Sequence, residues 1–283
     1  MTESVVRIAA WNVNSLKVRL PQVLKWLQDQ ERAKKPIDAL CLQELKLTDD
    51  KYPHSDLQEA GYISLTAGQK TYNGVAIIVR QAALAPIASD ASTTFLKSIR
   101  NIPGNDDEQQ RILAATIPFA GMQPIRLVSA YFPNGQSPES DKFAYKLRWL
   151  EALENWLKEE LSQNSRLALL GDFNIAPEDI DVYDPSKWIG QNLVSPEERK
   201  AFQQLVALGF TDSFRMFEQA PKSFSWWDYR MMGFRRNAGM RIDHILLSEA
   251  LKDKCMASGI DKEPRTWEQP SDHAPVIAEI RKN

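Results

Sequence analysis

The stretch LALLGDFN, residues 167–174, decides the fold. Four apolar residues that end at Gly171 predict a buried strand, and glycine lets the backbone bend sharply where that strand ends. Asp172 and Asn174 lie two residues apart, so their side chains point the same way if the chain stays extended. An Asx-rich turn explains this stretch equally well on its own. A site at the rim of a sheet is favoured only if other strands end in the same manner.

The composition is that of a folded globular protein. The chain has 283 residues, of which 43% are hydrophobic and 25% charged, so it can bury a large core. No apolar run approaches the roughly 18 residues that suggest a membrane span, and the N-terminus lacks the basic and apolar regions of a secretory signal. We therefore expect a soluble, cytoplasmic protein that has no membrane partner.

The formal charge and the cysteines set two further limits. A net charge of −2 neither favours nor excludes a polyanionic partner, so any nucleic-acid surface must be a local basic patch. Cys41 and Cys255 lie far apart in sequence, and reduced thiols are expected rather than a disulfide. The chain shows no internal repeat and no linker, so we expect a single domain over residues 1–283. We also expect a monomer.

Strand-like and helix-like segments alternate along the chain. The predicted strands are residues 5–11, 37–42, 73–79, 111–119, 124–130, 167–170, 240–247 and 274–280. A helix is predicted to open at Pro21, because proline is favoured in the first turn. The longest helix is predicted over residues 140–161, and a capping box at 195–198 opens another helix that ends at Gly209. Residues 101–110 are polar and turn-rich, which predicts an exposed loop.

Polar side chains mark the ends of these strands. They are Asn12, Glu44, Tyr131 and Asp172, just after apolar strands, and Asp243 and Asp272-His273, near the starts of the last two. If all share one rim, the first four of these strands run toward it and the last two run away. This arrangement requires a mixed sheet or two packed sheets, and it argues against a Rossmann fold, whose G-x-G-x-x-G motif is missing. An α/β sandwich with helices outside two sheets fits the alternation best.

The chemistry of such a rim is that of hard oxygen ligands. The set consists of the carboxylates of Glu44, Asp172, Asp243 and Asp272 and the carboxamides of Asn12 and Asn174, which suit Mg²⁺ or Mn²⁺. Zinc would favour histidine and thiolate clusters, and the three histidines show no such spacing. Asp243 could fix the ring of His273, whose other nitrogen would face a phosphate. Each acid alone is better explained as a solvated turn residue, but chance explains six coincident strand ends poorly.

Six short blocks together resemble the exonuclease III family of abasic-site endonucleases. They are WNVN at 11–14, LQELK at 42–46, AYFPNG at 130–135, GDFN at 171–174, RID at 241–243 and SDHAP at 271–275. The blocks occur in the order typical of the family, so the resemblance spans the chain. That family belongs to the endonuclease/exonuclease/phosphatase superfamily. The resemblance implies a deoxyribonuclease-I-like fold, a four-layer α/β sandwich of two mixed β-sheets flanked by helices.

The resemblance also implies a role for each rim residue. The implied metal-binding residues, for Mg²⁺ or Mn²⁺, are Asn12, Glu44, Asp172, Asn174, Asp272 and His273, with Glu44 as the main ligand. The implied catalytic residues are Tyr131, Asp172, Asn174, Asp243 and His273. Asp172 would activate or align the attacking water, which Asn174 would help to place. Tyr131 and His273 would contact the scissile phosphate, with Asp243 orienting His273.

Residues 224–236 interleave aromatic side chains with arginines, a pattern that suits phosphates, sugars and bases. Buried aromatics beside solvated arginines would give the same pattern. The resemblance places the pocket for an extruded abasic sugar in this region. The implied substrate-binding residues are Asn134, Trp226, Arg230, Arg235, Met240 and Ile242. Ser15, Met240 and His244 depart from the residue types usual in the family, and Met240 bears on the choice of sugar.

Three functions are consistent with these residues. The first is a Mg²⁺-dependent DNA repair phosphodiesterase that acts on double-stranded DNA, cleaving 5′ to abasic sites or removing 3′-terminal nucleotides or 3′ blocking groups. The second is a phosphoesterase of the same superfamily that acts on phospholipids or phosphoinositides. The third is a catalytically silent DNA-binding relative. The aromatic-arginine segment favours DNA over lipid, and the complete set of implied ligands disfavours a silent relative.

Overall fold

Two six-stranded β-sheets form the centre of the computed structural model, which describes residues 5–86 and 94–282. The first sheet contains, in spatial order, β11 (Cys255–Ile260), β12 (Val276–Arg281), β1 (Val5–Asn12), β2 (Ala39–Gln43), β4 (Val75–Arg80) and β3 (Tyr62–Ala67). The second contains β5 (Leu96–Arg100), β6 (Ile112–Ile117), β7 (Ile125–Tyr131), β8 (Leu167–Asp172), β10 (Asp243–Ser248) and β9 (Phe210–Asp212). Strand numbers follow the chain.

Each sheet has one parallel pair at its centre. β1 and β2 are parallel, as are β7 and β8, and the other strand pairs described are antiparallel. Asn12 lies opposite Gln43, and Tyr131 lies opposite Asp172, so the two strands of each parallel pair end together. β12 runs antiparallel to β1, and β10 runs antiparallel to β8. The predicted strand directions, and with them the mixed sheets, are confirmed.

Helices cover the outer faces of both sheets. Side chains from α1 (Leu16–Arg32) and α2 (His54–Glu59) pack on the first sheet, and side chains from α3 (Asp141–Gln163) and α4 (Pro196–Ala207) pack on the second. A short helix, α5 (Glu249–Lys252), follows β10. The order helix, sheet, sheet, helix is the predicted four-layer sandwich. Within the described ranges, no helix is long and apolar enough to cross a membrane.

Side chains alternate between two cores along each interior strand. In β1, Ile8 and Ala10 pack between the sheets, whereas Ala9 and Trp11 pack with α1. Trp11 meets Trp26 of α1 edge-on, with the ring centroids 5.6 Å apart. Because both faces of these strands are buried, the strands are mostly apolar on both faces, which explains the apolar runs in the sequence.

The start of α1 differs from the prediction. The helix begins at Leu16, and Pro21 lies inside it rather than at its opening. The backbone N–H groups of Ser15 and Leu16 donate to the carbonyl groups of Glu44 and Leu45, at 2.8 and 3.0 Å. These tertiary hydrogen bonds fix the helix start beside the end of β2, and no local signal in the sequence indicates them.

The remaining predicted elements are present. The predicted strands correspond to β1, β2, β4, β6, β7, β8, β10 and β12, and the two later helices correspond to α3 and α4. The capping box of α4 joins Ser195 and Glu198 as predicted. Residues 101–110 contain no helix or strand, although Ile102 is buried. Residues 1–4, at the N-terminus assessed for a secretory signal, lie outside the described residues.

Candidate active site

The end of β8 is shaped by one glycine and one aspartate. Gly171 has a φ of 148°, and a Cβ at this position would lie 1.9 Å from the carbonyl oxygen of Ala130 on β7. The close approach of the two strands therefore requires glycine, and β8 continues through Asp172 instead of bending at Gly171. Asn174 has a φ of 49°, and its N–H donates to Asp172 Oδ1 at 2.9 Å. This Asx turn holds Asp172 at the rim, so the turn and the candidate site are one feature.

The end of β1 repeats this geometry in the other sheet. Asn14 has a φ of 45°, and its N–H donates to Asn12 Oδ1 at 2.9 Å. The Nδ2 group of Asn12 donates to Glu44 Oε1 at 2.8 Å and to Asp172 Oδ2 at 2.9 Å. Asn12 is fully buried and joins a carboxylate of the first sheet to one of the second. Asn12 therefore presents its N–H donors to Glu44 and Asp172, and its side-chain oxygen is occupied by Asn14.

A candidate cation site lies where the two rims meet. Carboxylate oxygens of Glu44 and Asp172 and a ring nitrogen of His273 all lie within 4.8 Å of one another. Glu44 has a φ of 54°, an uncommon backbone conformation for a residue other than glycine. Its Oε2 lies 2.9 Å from Lys46 Nζ. Two carboxylates this close repel each other, and a hard divalent cation would remove that repulsion, so this donor set fits such a cation.

Two other predicted metal-binding residues direct their oxygens elsewhere. Asn174 Oδ1 accepts from Asn134 Nδ2 at 3.0 Å. Both oxygens of Asp272 accept at 3.0 Å, one from Asn14 Nδ2 and one from Trp226 Nε1. The metal-binding roles of Asn174 and Asp272 remain predictions.

His273 is held by an aspartate at the start of β10. Its Nδ1 lies 2.9 Å from Asp243 Oδ2, and its Nε2 lies 3.7 Å from Asp172 Oδ2. Asp243 is held in turn by Ser225, whose hydroxyl donates to Oδ2 at 2.6 Å and accepts from the N–H of Asp243 at 3.0 Å. All four residues are buried. The pair with Asp243 therefore fixes the imidazole so that Nε2 faces the carboxylates of the rim.

The neighbouring charges set the proton affinities of the rim. Burial raises the pKa of Asp172 to about 7, and the charges of Asp243 and Glu44 act in the same direction. Burial lowers the pKa of His273, but the charges of Asp243 and Asp172 outweigh it and raise that pKa to about 10. Burial raises the pKa of Tyr131 well above its ordinary value, so the phenol stays protonated. A divalent cation bound at this rim would displace protons from it.

Tyr131 adds hydrogen-bonding capacity to the rim. It ends β7, lies opposite Asp172 and forms a hydrogen bond with Glu44. The guanidinium of Arg111 lies 5.1 Å from the centroid of the Tyr131 ring and donates to its carbonyl oxygen at 3.4 Å. The phenol of Tyr131 thus lies beside Glu44, and the guanidinium of Arg111 holds the ring and backbone of Tyr131.

A cavity of about 370 Å³ adjoins the rim. Trp226, which donates to Asp272, lines this cavity together with Met240. Ile242 is absent from its described lining and belongs instead to the buried apolar cluster that includes Met240. The charged lining residues are Lys187, Arg230 and Arg236 together with Asp184 and Asp228, and Lys187 pairs with Asp184 as Arg230 does with Asp228. The cavity therefore combines aromatic and apolar walls with charges of both signs, which suits a polar group that has an apolar face, such as a sugar.

The predicted DNA-contacting residues fall into two groups. Asn134 lies at the site, because it donates to Asn174. Arg230 is exposed and forms an ion pair with Asp228, with an N–O distance of 2.6 Å. Arg235 is also exposed. The contacts of both arginines with DNA remain predictions.

Three rim residues have no role in the sequence-based prediction, namely Asn14, Lys46 and Ser225. Asn14 and Lys46 lie within the blocks at 11–14 and 42–46, and Asn14 follows Asn12 at the spacing that separates Asn174 from Asp172. That repeated spacing could have indicated Asn14. Ser225 has no such signal, because its contact with Asp243 joins residues 18 positions apart.

Comparison with known proteins identifies the family. Residues 9–273 match the Endonuclease/Exonuclease/phosphatase family. The chain belongs to this family. Exodeoxyribonuclease III of Haemophilus influenzae is 33% identical, in an alignment that covers 98% of this chain and 100% of that protein.

Solved structures of similar proteins have the same fold as this chain. A 3′ phosphatase from Neisseria, named NExo and bound to a product DNA hairpin, is 43% identical with a TM-score of 0.86. An AP endonuclease from Archaeoglobus fulgidus is 32% identical, also with a TM-score of 0.86. Each match covers 97% of this chain and 99% of the other. The predicted family and its deoxyribonuclease-I-like fold are confirmed.

Proposed function

We propose that this protein is a metal-dependent DNA repair phosphodiesterase and that its cation is Mg²⁺, with Mn²⁺ as a substitute. The observation that carries the proposal is the meeting of Glu44, Asp172 and His273 where the rims of the two sheets join. Relatives named exodeoxyribonuclease III, 3′ phosphatase and AP endonuclease match it over nearly the whole chain. The substrate is therefore DNA, and the reaction is hydrolysis of a phosphate ester.

Each rim residue has a part in this reaction. Asp172 aligns or deprotonates the attacking water, and Asn174 helps to place that water. Tyr131 and His273 donate hydrogen bonds to the scissile phosphate and stabilise the charge that develops on it. Asp243 keeps the ring of His273 oriented and protonated. These donors are fixed before substrate binds, so little reorganisation is needed during the reaction.

The cation would be held chiefly by Glu44 and Asp172. The further candidate ligands, direct or through water, are Asn12, Asn174 and Asp272. His273 is also a predicted ligand, but a protonated imidazole has no free lone pair, so it would bind a cation directly only after losing its Nε2 proton. When bound, a divalent cation supplies a Lewis acid that polarises a phosphoryl oxygen. Asp172, whose pKa burial raises to about 7, would then be ionised at neutral pH, as its action on water requires.

The cavity beside Trp226 bears on the choice of substrate. An abasic nucleotide has no base to unpair, so its extrusion costs less by on the order of a few kcal/mol. The cavity could receive that sugar, with Met240 and Trp226 as walls and Ile242 supporting Met240. However, identity is 43% with the Neisseria 3′ phosphatase and 32% with the Archaeoglobus AP endonuclease. The same Neisseria protein is also described as a 3′-5′ exonuclease. We therefore propose reactions at 3′ ends, the removal of 3′ blocking groups and of 3′-terminal nucleotides, as the leading activity and incision 5′ to abasic sites as the second.

The test compares matched duplexes in Mg²⁺, in Mn²⁺ and with a chelator. The duplexes carry a 3′ phosphate, a recessed 3′ hydroxyl end, a single abasic site or no lesion. We expect release of the 3′ phosphate to be fastest, incision at the abasic site to be slower, and all activity to be lost with the chelator. Failure to hydrolyse any of these duplexes in either metal would contradict the proposal.

Glu44→Gln tests the assignment of the cation site. The variant loses one carboxylate charge, so we expect the Mg²⁺ concentration for half-maximal rate to rise about 10–100-fold. The melting temperature should stay close to that of the parent, because Glu44 lies at the rim and not in the core. An unchanged metal requirement would remove Glu44 from the site.

The two alternatives are tested in the same assay. Faster hydrolysis of phosphoinositides in vesicles than of any duplex would replace DNA as the substrate, and binding of DNA without hydrolysis would indicate a silent relative. We further propose that residues 1–283 act as a single domain and a monomer in the cytoplasm. Gel filtration at the assay concentration checks the oligomeric state.

A further inference from the structure

Lys146 on α3 is a buried cation that the proposed reaction does not use. Its side chain is fully enclosed, and its ammonium forms an ion pair with Glu198. The same ammonium donates to the carbonyl oxygen of Asn174 at 2.7 Å and to that of Asn134 at 3.3 Å. Burying a charge is costly even when it is paired, and an aliphatic side chain often fills such a space at lower cost. The presence of a lysine here needs a reason beyond packing.

The two carbonyl groups belong to the loops that leave the parallel strands of the second sheet. Asn134 follows β7, and Asn174 follows β8. Their side chains are also joined, since Asn134 Nδ2 donates to Asn174 Oδ1 at 3.0 Å. Asn174 donates to both oxygens of Asp172, from its backbone N–H at 2.9 Å and from its Nδ2 at 3.3 Å. An unbroken series of contacts therefore runs from Lys146 to Asp172.

Glu198 fixes the ammonium from the opposite side. It lies in the first turn of α4, where the N–H and the hydroxyl of Ser195 donate to its Oε2 at 3.1 and 2.7 Å. The N–H of Leu193 donates to its Oε1 at 3.1 Å. A Cβ on Gly135 would lie 3.1 Å from Lys146 Cδ, so the lysine stem is also closely packed. Two helices therefore set the position of the ammonium, and the ammonium sets the position of the loops.

We propose that Lys146 is a positioning residue for the hydrolytic reaction. It joins the loops after β7 and β8 and keeps the Asn134–Asn174 pair in place beside Asp172. A displacement of about 1 Å at a reacting group can lower a rate about 10²-fold. Lys146 thus acts on turnover without touching the substrate. The inference rests on the proposed function in one respect, because the proposed hydrolysis is the reaction whose rate is measured.

The test removes both members of the buried pair. Lys146→Met alone leaves Glu198 charged and unpaired in the interior, which is strongly destabilising, so the double variant Lys146→Met/Glu198→Gln is used. The matched control is Arg126→Met/Glu160→Gln. Arg126 of β7 and Glu160 of α3 form a buried pair, 2.7 Å apart, at the ends of this strand and this helix that are remote from the rim.

The expected result is a selective loss of turnover. We expect the kcat of Lys146→Met/Glu198→Gln to fall about 10–100-fold, with the KM for DNA changed by less than about 3-fold. The control should keep its kcat close to that of the parent at a similar loss of melting temperature. Backbone amide exchange should become faster at residues 132–136 and 172–176 in the first variant only.

Asn174→Ala shows whether Lys146 acts through Asn174. If it does, adding Asn174→Ala to the double variant lowers kcat little beyond Asn174→Ala alone, because both changes break one series of contacts. Additive losses, an equal loss in the Arg126 control, or unchanged exchange at residues 132–136 and 172–176 would each overturn the proposal. An inactive parent protein would contradict the proposed function instead, and amide exchange would still test the role of Lys146.

Discussion

His273 and His244 are buried to almost the same degree, with 4% and 1% of their surfaces exposed, yet they hold opposite protonation states. The pKa of His273 is raised to about 10, and the pKa of His244 is lowered to about 3. Burial alone lowers the pKa of a histidine, because it penalises the charged form. The charges that face each ring must therefore account for the difference.

Acids face His273, whereas an arginine faces His244. His273 lies against Asp243 and Asp172. His244 Nδ1 lies 2.9 Å from Nη1 of Arg241, and a guanidinium only donates hydrogen bonds, so Nδ1 must accept and carries no proton. His244 Nε2 then donates to the carbonyl oxygen of Ile175 at 2.9 Å. These two contacts fix His244 as the neutral tautomer with its proton on Nε2.

The geometry of one strand separates the two environments. Asp243 and His244 are neighbours on β10, so their side chains point to opposite faces of the sheet. Asp243 reaches His273 at the rim, while His244 packs against Phe173 and Phe202, with each ring centroid 5.0 Å away. A step of one residue thus separates the candidate site from a buried structural network. His244 belongs to that network.

The largest expected difference between the two histidines is in turnover. His273→Gln removes the protonated donor that we propose binds the scissile phosphate, and such groups contribute about 10²–10⁴-fold to a rate. His244→Gln retains one donor and one acceptor and lies off the rim, so its kcat should stay close to that of the parent. Both variants are assayed on a 3′-phosphorylated duplex at saturating Mg²⁺, with melting temperatures as a check on folding. Comparable losses of kcat would show that the site extends to His244.

The next-largest expected effect is on stability and lies on the His244 side of β10. Arg241 is buried, and its guanidinium binds Asp181 at 2.6 Å and Asp212 at 2.8 Å. Arg241→Met leaves both carboxylates without this partner, so we expect the free energy of unfolding to fall by about 3–5 kcal/mol. Arg215 also binds Asp181 but is partly exposed, so Arg215→Met should cost less than about 1 kcal/mol. Urea denaturation at neutral pH measures both losses, and equal losses would contradict the importance of burial here.

The sequence predicts the interior strands and misses the edge strands. The four strands without a prediction are β3, β5, β9 and β11, which form the edges of the two sheets. Interior strands are apolar on both faces and give continuous runs. Most side chains of β5 are exposed, and β9 has only 3 residues. Such short or exposed strands carry no periodic signal that separates them from loops.

The residues of the candidate site likewise fall into those that the sequence predicts and those that it misses. The sequence places the rim residues correctly at strand ends, because a strand end is a local feature. It does not indicate Ser225 or Lys146, whose contacts with the site join residues 18 and 28 positions apart. Nor does it predict the protonation states of His244 and His273, because the charges that decide them come from other elements. Local patterns identify the rim, and tertiary contacts determine the chemistry of each side chain.

A smaller difference is expected in the pH dependence of stability. The pKa of His244 is about 3 in the folded protein, against 6.5 as its ordinary value. Between these values the unfolded chain binds a proton that the folded protein does not, so this histidine lowers stability as the pH falls below about 6.5. At about 1.4 kcal/mol per pH unit, the loss at pH 5 is about 2 kcal/mol. His244→Gln does not titrate and should remove this loss.

The measurement must isolate His244 from other titrating groups. The charged groups that act on it are Arg241, Arg215 and Asp181, with Asp212 bound to Arg241. Unfolding free energies from about pH 5 to about pH 8 are compared for the parent, His244→Gln and the control His54→Gln, which removes an exposed histidine. The difference between the parent and His244→Gln curves reports His244 alone. Parallel curves for these two proteins would contradict its neutral state.

The smallest expected effect lies on the side of His273, at Ser225. The buried hydroxyl donates to Asp243 Oδ2 at 2.6 Å and accepts from the N–H groups of Ile242 and Asp243, at 3.1 and 3.0 Å. Ser225→Ala removes this support but leaves the pair of Asp243 with His273. The hydroxyl is bonded before and during the reaction alike, so only part of its energy enters the rate. We expect a loss of about 1 kcal/mol, or about 5-fold in kcat.

The control for this variant is Ser213→Ala. Ser213 is also fully buried, and its hydroxyl is bonded to Ser258 at 2.9 Å, away from the rim. Its loss should lower the melting temperature without lowering kcat. If Ser225→Ala instead lowered kcat as much as His273→Gln, Asp243 could not orient the ring by charge alone. The orientation of His273 would then depend on the series of hydrogen bonds from Ser225 through Asp243. The sign of the charge facing each histidine would not by itself explain why the two sides of β10 differ in function.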